Sequence, residues 1–249
     1  MADRINIEWA VNVYKTPKDE ILRRAVRKAP WINKILQRLP ERYVRRIYRD
    51  DYTVTERMVE KGFVFMNLND LAPGGRILDV GCAWSSLPFE FAGLGFKVWG
   101  MDISDYPFSH PGLISIKGSV CSSGLESDFF DAVTAVSTVE HIGLGWYGDD
   151  VKNDSDIKAV REIRRMLKPS GKFILTVPYG VRTSTHILRV YDRAALAGLT
   201  DGFEIIRASY FVNHMDKYWS FSDERRAAGM GVNSRGRNEG NVCMALRKI

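Results

Sequence analysis

Residues 76–104 have the sequence RILDVGCAWSSLPFEFAGLGFKVWGMDIS and carry the strongest signal for a fold class. A short apolar run is followed by a turn at Gly81, a helix-forming segment and a second apolar run that stops at Asp102. Continuous hydrophobicity is typical of strands that are buried on both faces of a parallel sheet. The order strand, turn, helix, strand therefore predicts an α/β fold whose ligand lies beyond the carboxyl ends of the strands.

The same alternation continues to the end of the chain. Besides strands at 77–80 and 97–103, apolar runs predict further strands at 113–117, 130–137, 173–178, 203–211 and 241–247. Helical signals predict helices at 53–71, 87–94, 157–167 and 192–197, the first with a capping box formed by Thr53 and Glu56. We therefore expect a Rossmann-like, doubly wound α/β domain with seven mostly parallel strands, spanning residues 53–249.

Positive charge is concentrated at the start of the chain. Residues 1–50 contain 13 lysines and arginines against 6 acidic residues, whereas the remainder contains 23 against 24. Apolar stripes with helical spacing, broken at Pro30 and Pro40, predict a separate basic helical arm at residues 1–52. Two interpretations remain open: the arm packs on the domain as a lid, or residues 18–49 bind an anionic membrane surface.

Composition excludes several classes of protein. Hydrophobic residues make up 45% and charged residues 27% of the 249 residues, as in ordinary globular proteins. The three cysteines are too few and too scattered for a disulfide framework or a zinc site. No apolar run approaches the roughly 18 residues of a membrane span, and the first residues lack a signal peptide's apolar stretch. We expect a cytoplasmic protein, with peripheral membrane association through the arm as a further hypothesis.

The turn after the first strand separates two classes of nucleoside ligand. A carboxylate at the end of the second strand, here Asp102, accepts the hydroxyls of a ribose. A dinucleotide also needs G-x-G-x-x-G for its pyrophosphate, but Gly81 is followed by Cys-Ala-Trp-Ser. The residues therefore favour S-adenosylmethionine (SAM), which has a ribose and no phosphate.

The motifs DVGC (79–82) and MDIS (101–104) resemble motifs I and II of the class I SAM-dependent methyltransferases. The resemblance covers about residues 76–211 and includes FDAVTAVSTVEH (130–141), REIRRMLKPSG (161–171) and FILTVP (173–178). It implies SAM as the cofactor and a set of contacts along the carboxyl edge of the sheet. The implied cofactor-binding residues are Asp79, Gly81, Cys82, Ala83, Asp102, Ile103, Ser119, Val120 and Ser137.

The sequence departs from the family pattern at two places. Ala83 and Ser85 stand where the family usually has glycines. Alanine and serine are the mildest replacements, and we expect cofactor binding to survive if both positions keep negative φ. The acidic residue that the family usually places near the adenine is replaced by Gly118-Ser119-Val120, where Ser119 or a backbone amide would serve.

His141 is the candidate general base, because it follows the fourth strand and because histidine as a residue type suits proton transfer at neutral pH. The alternative is that His141 only packs or binds a backbone carbonyl. His186 and His214 are weaker candidates, because the direction of their loops is not fixed by the sequence. The acidic segment GDDVKNDSD (148–156) would suit Mg²⁺, but capping of a helix by Asp154 or Ser155 is the simpler interpretation, so we expect no metal.

These observations predict a SAM-dependent methyltransferase that acts on a hydroxyl of a sugar, glycan precursor or other small molecule. The segment EHIGLGWYGD (140–149) resembles a branch associated with glycan or small-molecule methylation. Two alternatives remain: an RNA-directed methyltransferase that uses the basic arm, and a SAM-binding protein without catalysis. The segment STVEH stands where base-modifying enzymes carry N/D-P-P-Y/F/W, which argues against a nucleic-acid substrate.

Overall fold

The computed structural model describes residues 55–83, 85–152, 154–214, 218–233 and 236–249. Contacts divide the chain into a large unit, Val59–Val212 with Ser220–Ile249, and a small unit, Met1–Met58 with Asn213–Trp219. Within the small unit, the rings of His214 and Tyr218 stack with their centroids 4.5 Å apart. The predicted arm at 1–52 lies outside the described residues, so its boundary stays a prediction.

Five helices are described, each carrying apolar residues that face a sheet. They are α1 (Arg57–Leu68), α2 (Leu87–Gly93), α3 (Ser155–Met166), α4 (Arg193–Leu199) and α5 (Glu224–Ala228). Aspartates begin two of them, because the side chains of Asp192 and Asp223 accept backbone N–H groups of α4 and α5. None of the described helices is long and apolar enough to cross a lipid bilayer.

Ten strands are described, of which eight form one sheet. The strands are β1 (Arg76–Val80), β2 (Lys97–Asp102), β3 (Leu113–Lys117), β4 (Phe130–Val136), β5 (Leu167–Pro178), β6 (Thr183–Ser184), β7 (Arg189–Val190), β8 (Phe203–His214), β9 (Tyr218–Ser222) and β10 (Gly240–Lys248). The order in the large sheet is β3-β2-β1-β4-β5-β10-β8-β9, and β6 pairs with β7 in a separate hairpin. Strands β1 to β5 are parallel, whereas β10 is antiparallel to both of its neighbours.

Apolar side chains cover both faces of the sheet, as a doubly wound fold requires. Leu78 and Val80 of β1 belong to a core with α3, α4 and α5, whereas Ile77 belongs to a second core with α1 and α2. Neighbouring residues of a strand point to opposite faces, so one uninterrupted apolar run serves both cores. The predicted Rossmann-like, mostly parallel fold is therefore confirmed.

The structure corrects the predicted fold in three details. The sheet has eight strands rather than seven, because β9 was not predicted. Helix α1 ends at Leu68 rather than near residue 71, while its predicted start at Thr53 lies outside the described residues. Strand β5 begins at Leu167 rather than at residue 173, and its register with β4 shifts between Phe130 and Ala132, near Ser170, whose φ is 61°.

Candidate functional site

The strand order reverses between β1 and β4, which places a crevice at the carboxyl ends of these two strands. The chain runs outward from β1 to β2 and β3, and then returns to β4 on the other side of β1. Ligands of open α/β sheets bind at such a switch point. The loops after β1 and β4 are therefore the first place to look for chemistry.

Gly81 lies where these two loops touch. Its φ is 75°, and a Cβ at this position would lie 2.2 Å from Cγ2 of Thr138 in the loop after β4. Its N–H donates to the carbonyl of Met101 in β2 at 2.8 Å. Only glycine combines this φ with so close an approach, so Gly81 joins the loops of β1 and β4 at the switch point.

Ala83 contradicts one expectation, because its φ is 21° rather than negative. Its N–H donates to Oδ2 of Asp102 at 3.0 Å, and this hydrogen bond bends the loop back over the end of β2. Positive φ in a residue with a Cβ stores strain, and such strain concentrates at functional sites. Ser85 has negative φ, as expected.

Asp102 and Ile103 lie at the open end of β2. The N–H of Ser104 donates to Oδ1 of Asp102 at 2.8 Å, so each carboxylate oxygen accepts one backbone donor and has a second lone pair. The side chain of Ile103 is exposed. A partly exposed carboxylate beside an exposed apolar residue suits a ribose next to a heterocyclic base.

Asp79 and Cys82 are buried, unlike Asp102. The Thr134 hydroxyl donates to Oδ1 of Asp79 at 2.5 Å, which joins β1 to β4. The Cys82 side chain packs against Gly100 of β2. Burial, followed by the charges of Asp79 and Asp102, raises the pKa of Cys82 far above its ordinary value. The thiol is therefore neutral at physiological pH, and a ligand would meet Cys82 through its backbone.

Ser119 and Val120 follow β3 and lie next to the end of β2. The N–H of Gly118 donates to the carbonyl of Asp102 at 2.8 Å, which fixes this neighbourhood. The Ser119 hydroxyl accepts the N–H of Cys121 at 3.3 Å and caps a short 3₁₀ turn, and Val120 is buried in the core. These two residues therefore offer backbone atoms and Ser119 Oγ at the end of β2.

Ser137 begins the loop after β4 with φ 45°, and Glu60 of α1 holds it there. The Ser137 hydroxyl donates to Oε1 of Glu60 at 2.6 Å, and the same oxygen accepts from Thr176 at 2.7 Å and from Asn241 at 2.9 Å. Glu60 is fully buried. The sequence analysis missed Glu60, although it shares the helical spacing i, i+3, i+4 with the core residues Phe63 and Val64.

His141 lies in a 3₁₀ turn, Val139–His141, four residues beyond Ser137. Its Nδ1 lies 2.5 Å from the carbonyl oxygen of Ile187, between β6 and β7. A carbonyl only accepts hydrogen bonds, so Nδ1 carries the proton and Nε2 of the neutral ring is a proton acceptor. Oε1 of the buried Glu140 lies 3.7 Å from Nε2. The carbonyl contact and a role as a base are thus compatible.

Aspartates of the acidic segment accept hydrogen bonds from the backbone and from a buried tyrosine. Asp149 accepts the N–H of Gly143 at 2.5 Å, and Asp156 accepts the hydroxyl of the buried Tyr191 at 2.8 Å. Asp154 precedes α3 in the left-handed region without a capping hydrogen bond from its side chain. Across the described ranges, no three His, Cys, Asp or Glu side chains are grouped to hold a metal ion.

Comparison with known sequences gives a match over part of the chain. Residues 121–238 match a family described as "Caenorhabditis protein of unknown function, DUF268". No curated protein matches the sequence. The matched segment contains β4, His141 and the β6–β7 hairpin, but not the loop at Gly81.

Comparison with solved structures identifies the fold. A SAM-dependent methyltransferase from Methanosarcina mazei superimposes with a TM-score of 0.52 at 15% identity, over 74% of this chain and 97% of that one. The 1,6-didemethyltoxoflavin-N1-methyltransferase of Burkholderia thailandensis, solved with S-adenosylhomocysteine, gives 0.55 at 16% identity over 94% and 90%. The [4+2]-cyclase SpnF gives 0.54 at 19% identity over 76% and 80%. This chain has the Rossmann-like fold of the class I SAM-dependent methyltransferases.

Proposed function

We propose that this protein is a SAM-dependent methyltransferase that methylates a hydroxyl of a sugar, glycan precursor or other small molecule. The observation that carries the proposal is the carboxylate of Asp102, which lies at the open end of β2 beside the Gly81 loop. The fold supports the cofactor, because its relatives include enzymes solved with S-adenosylhomocysteine. The acceptor class rests on the segment at 140–149 and on His141.

The residues at the switch point fit SAM. Both oxygens of Asp102 have lone pairs to accept ribose hydroxyls, and the exposed Ile103 offers an apolar surface to the adenine. Gly81 borders the crevice, and there the loop after β1 lies close to Thr138 in the loop after β4. Nothing in this set of groups calls for a phosphate, since the Gly81 loop lacks the glycine pattern that binds one.

The chain's own residues would position the acceptor and remove its proton. Bound SAM supplies a methyl group on a positively charged sulfur, so the protein need not activate the methyl group. His141 directs Nδ1–H to Ile187 and thereby keeps Nε2 ready to take the hydroxyl proton. The Glu140 carboxylate, 3.7 Å from Nε2, would stabilise the imidazolium that forms.

A binding measurement with two matched variants tests the cofactor assignment. Asp102→Ala should weaken the binding of SAM by about 10- to 150-fold, because a charge-assisted hydrogen bond contributes about 1.5–3 kcal/mol to binding. Asp105→Ala removes an exposed carboxylate, paired with Lys117 at 2.9 Å, and should leave the affinity unchanged. Calorimetry of the three proteins decides the matter, and equal affinity in all three would refute the ribose contact. Labelled SAM in a cell extract then identifies the acceptor.

A second function is favoured by one observation. Ala83 has positive φ and donates its N–H to Asp102, at a position where the methyltransferase pattern that the sequence resembles usually has glycine. The cyclase SpnF shows that this fold also occurs in a protein whose described reaction is a cycloaddition. The alternative is therefore a SAM-binding protein without methyl transfer, and it predicts SAM binding with no labelled product in any extract.

A further inference from the structure

Two loops at the carboxyl edge of the sheet bring four aromatic rings into one cluster, which we call the ring cluster: His141, Trp146, Tyr147 and His186. The centroids of His141 and Tyr147 are 5.5 Å apart, and those of Trp146 and His186 are 5.2 Å apart. Ile187, next to His186, accepts the hydrogen bond of His141. The two ring pairs are therefore neighbours along both loops, and one of them includes the candidate base His141.

The loop that carries Trp146 and Tyr147 is held by its own hydrogen bonds. The N–H of Gly148 donates to Gly145 at 3.2 Å, and the N–H of Lys152 donates to Gly143 at 3.2 Å. A Cβ on Gly143 would lie 2.5 Å from Cβ of Ser155, so the loop lies tightly against the start of α3. The exposed rings thus project from a preorganised loop.

The opposite side of the ring cluster is equally well fixed. Thr185 Oγ1 accepts the N–H groups of Ile187 and Leu188, which shapes the turn between β6 and β7. The guanidinium of Arg189 in β7 donates to the carbonyl of Ile142 at 2.7 Å and thereby ties the hairpin to the loop after β4. Both sides of the ring cluster are therefore placed before any ligand arrives, which lowers the entropic cost of binding.

The rings of Trp146 and Tyr147 stay exposed to solvent, although hydrogen bonds hold the loop that carries them. Trp146 is 47% exposed and Tyr147 is 55% exposed. Large aromatic rings that stay exposed on ordered loops indicate a surface that a ligand covers. Here the surface adjoins His141, the candidate general base.

We propose that Trp146 and His186 form the acceptor subsite of this enzyme and bind the ring of a pyranose sugar. A pyranose has an apolar C–H face, which suits the negative face of an aromatic ring, and a rim of hydroxyls, which suits imidazole nitrogens and the Tyr147 hydroxyl. The planes of Trp146 and His186 meet at 67°, so they form a corner rather than a parallel slot. A corner fits a puckered ring with a polar rim better than a flat heterocycle.

The inference rests on the proposed function, so the test measures cofactor and acceptor separately. Wild-type protein with labelled SAM is offered methyl α- and β-glycopyranosides of glucose, galactose, mannose and rhamnose, with sorbitol as the open-chain control and catechol as the flat control. We expect label in at least one glycoside and none in sorbitol or catechol. Trp146→Ala should raise KM for that glycoside at least tenfold, with kcat within threefold and SAM affinity unchanged.

Three further variants distinguish loss of the subsite from loss of folding. Trp146→Phe keeps an aromatic face and should recover most of the affinity, while His186→Ala should raise KM in the same direction. Phe221→Ala removes a ring that is 73% exposed on β9, and it should leave KM unchanged.

The outcomes are distinct. Absence of SAM binding to the wild-type protein would overturn the proposed function. SAM binding with label only in catechol or sorbitol, or in no member of the panel, would overturn the sugar assignment alone. A glycoside substrate whose KM is unaffected by Trp146→Ala would overturn the subsite.

Discussion

Glu60 is a buried carboxylate on which three donors from three parts of the fold converge. Ser137 belongs to the loop after β4, Thr176 to β5 and Asn241 to β10, and all of them donate to Oε1. Removing a shared acceptor leaves several buried donors unsatisfied, which costs far more than one hydrogen bond gains. Glu60 therefore fixes helix α1 to the strands and also holds the strained residue Ser137.

Replacing Glu60 should measure this role. Glu60→Ala should lower the free energy of unfolding by about 3 kcal/mol, because orphaned buried donors cost about 1–3 kcal/mol each. Glu60→Gln keeps a carbonyl acceptor and should lose less. Lys61→Ala, next in the helix, removes an exposed ion pair with Glu90 and should cost under about 1 kcal/mol. Urea unfolding of the variants provides the values, and equal losses for Glu60→Ala and Lys61→Ala would contradict the assigned role.

His141 allows its two roles to be separated by substitution. His141→Asn keeps a side-chain N–H for the Ile187 carbonyl but has no basic nitrogen, so turnover should fall by about 10²- to 10⁴-fold with SAM affinity nearly intact. Added imidazole should restore part of the activity, and a chelator should leave the wild-type rate unchanged. Full turnover of the Asn variant would show that His141 is structural, and loss of activity with a chelator that Mg²⁺ restores would disprove metal independence.

At the scale of single elements, the two turns that flank α2 offer a matched pair of glycines. Gly81 and Gly95 have similar φ, 75° and 88°, but a Cβ on Gly95 would meet no atom within 4 Å. The two positions therefore separate backbone strain from close packing.

Alanine at these positions should give different results. Gly95→Ala should cost about 1–2 kcal/mol of stability, from the left-handed φ alone, without a change in SAM affinity. Gly81→Ala should also displace Thr138 and lower the affinity for SAM at least tenfold. Thermal unfolding and calorimetry measure the two effects. If both variants bind SAM like the wild type, the contact between the loops of β1 and β4 is not part of the cofactor site.

The sequence predicts those elements whose character is local. Strands β1 to β5 contain apolar runs, and α4 begins at an aspartate that accepts a helix N–H, so both signals are visible without tertiary structure. Strand β9 and helix α5 were missed, because YWSFS and ERRAA are too short to show a period. The hairpin β6–β7 has only two residues in each strand, and its shape depends on Thr185 side-chain hydrogen bonds.

The candidate site divides in the same way. Gly81 and Asp102 are predictable, because turn glycines and strand-end carboxylates have fixed spacing. The contact between His141 and the Ile187 carbonyl spans 46 positions in the chain and requires the hairpin to be in place. The sequence did not predict the positive φ of Ala83. The hydrogen bond from Ala83 to Asp102 accompanies this φ, and no local sequence pattern indicates that bond.

At the scale of the whole molecule, the charge is unevenly distributed. The excess of positive charge belongs to residues 1–50, and the remainder is close to neutral. Each basic residue near an anionic membrane contributes about 1 kcal/mol. We therefore keep the hypothesis that residues 18–49 bring the protein to an anionic membrane surface.

Vesicle sedimentation tests this hypothesis on the full chain. The protein should sediment with phosphatidylserine vesicles at low salt, and binding should weaken as salt rises, because counterions screen the attraction. A variant lacking residues 1–50 should stay in the supernatant. If both forms sediment equally, or if the full chain does not sediment, the membrane hypothesis is wrong and the interpretation of the arm as a lid remains. Salt-sensitive binding to RNA and not to vesicles would instead favour the RNA-directed alternative.

The position of β10 has a consequence for how the polypeptide is made. This strand lies between β5 and β8, with seven consecutive buried residues, although it is the last strand along the chain. While the ribosome still holds these residues, β5 and β8 expose unpaired edges, and such edges promote aggregation. Completion of the sheet must therefore await the synthesis of residues 240–248, which follow β5 and β8 in the sequence. A premature stop codon before Gly240 would remove the strand that joins β5 to β8, and not only a terminal segment.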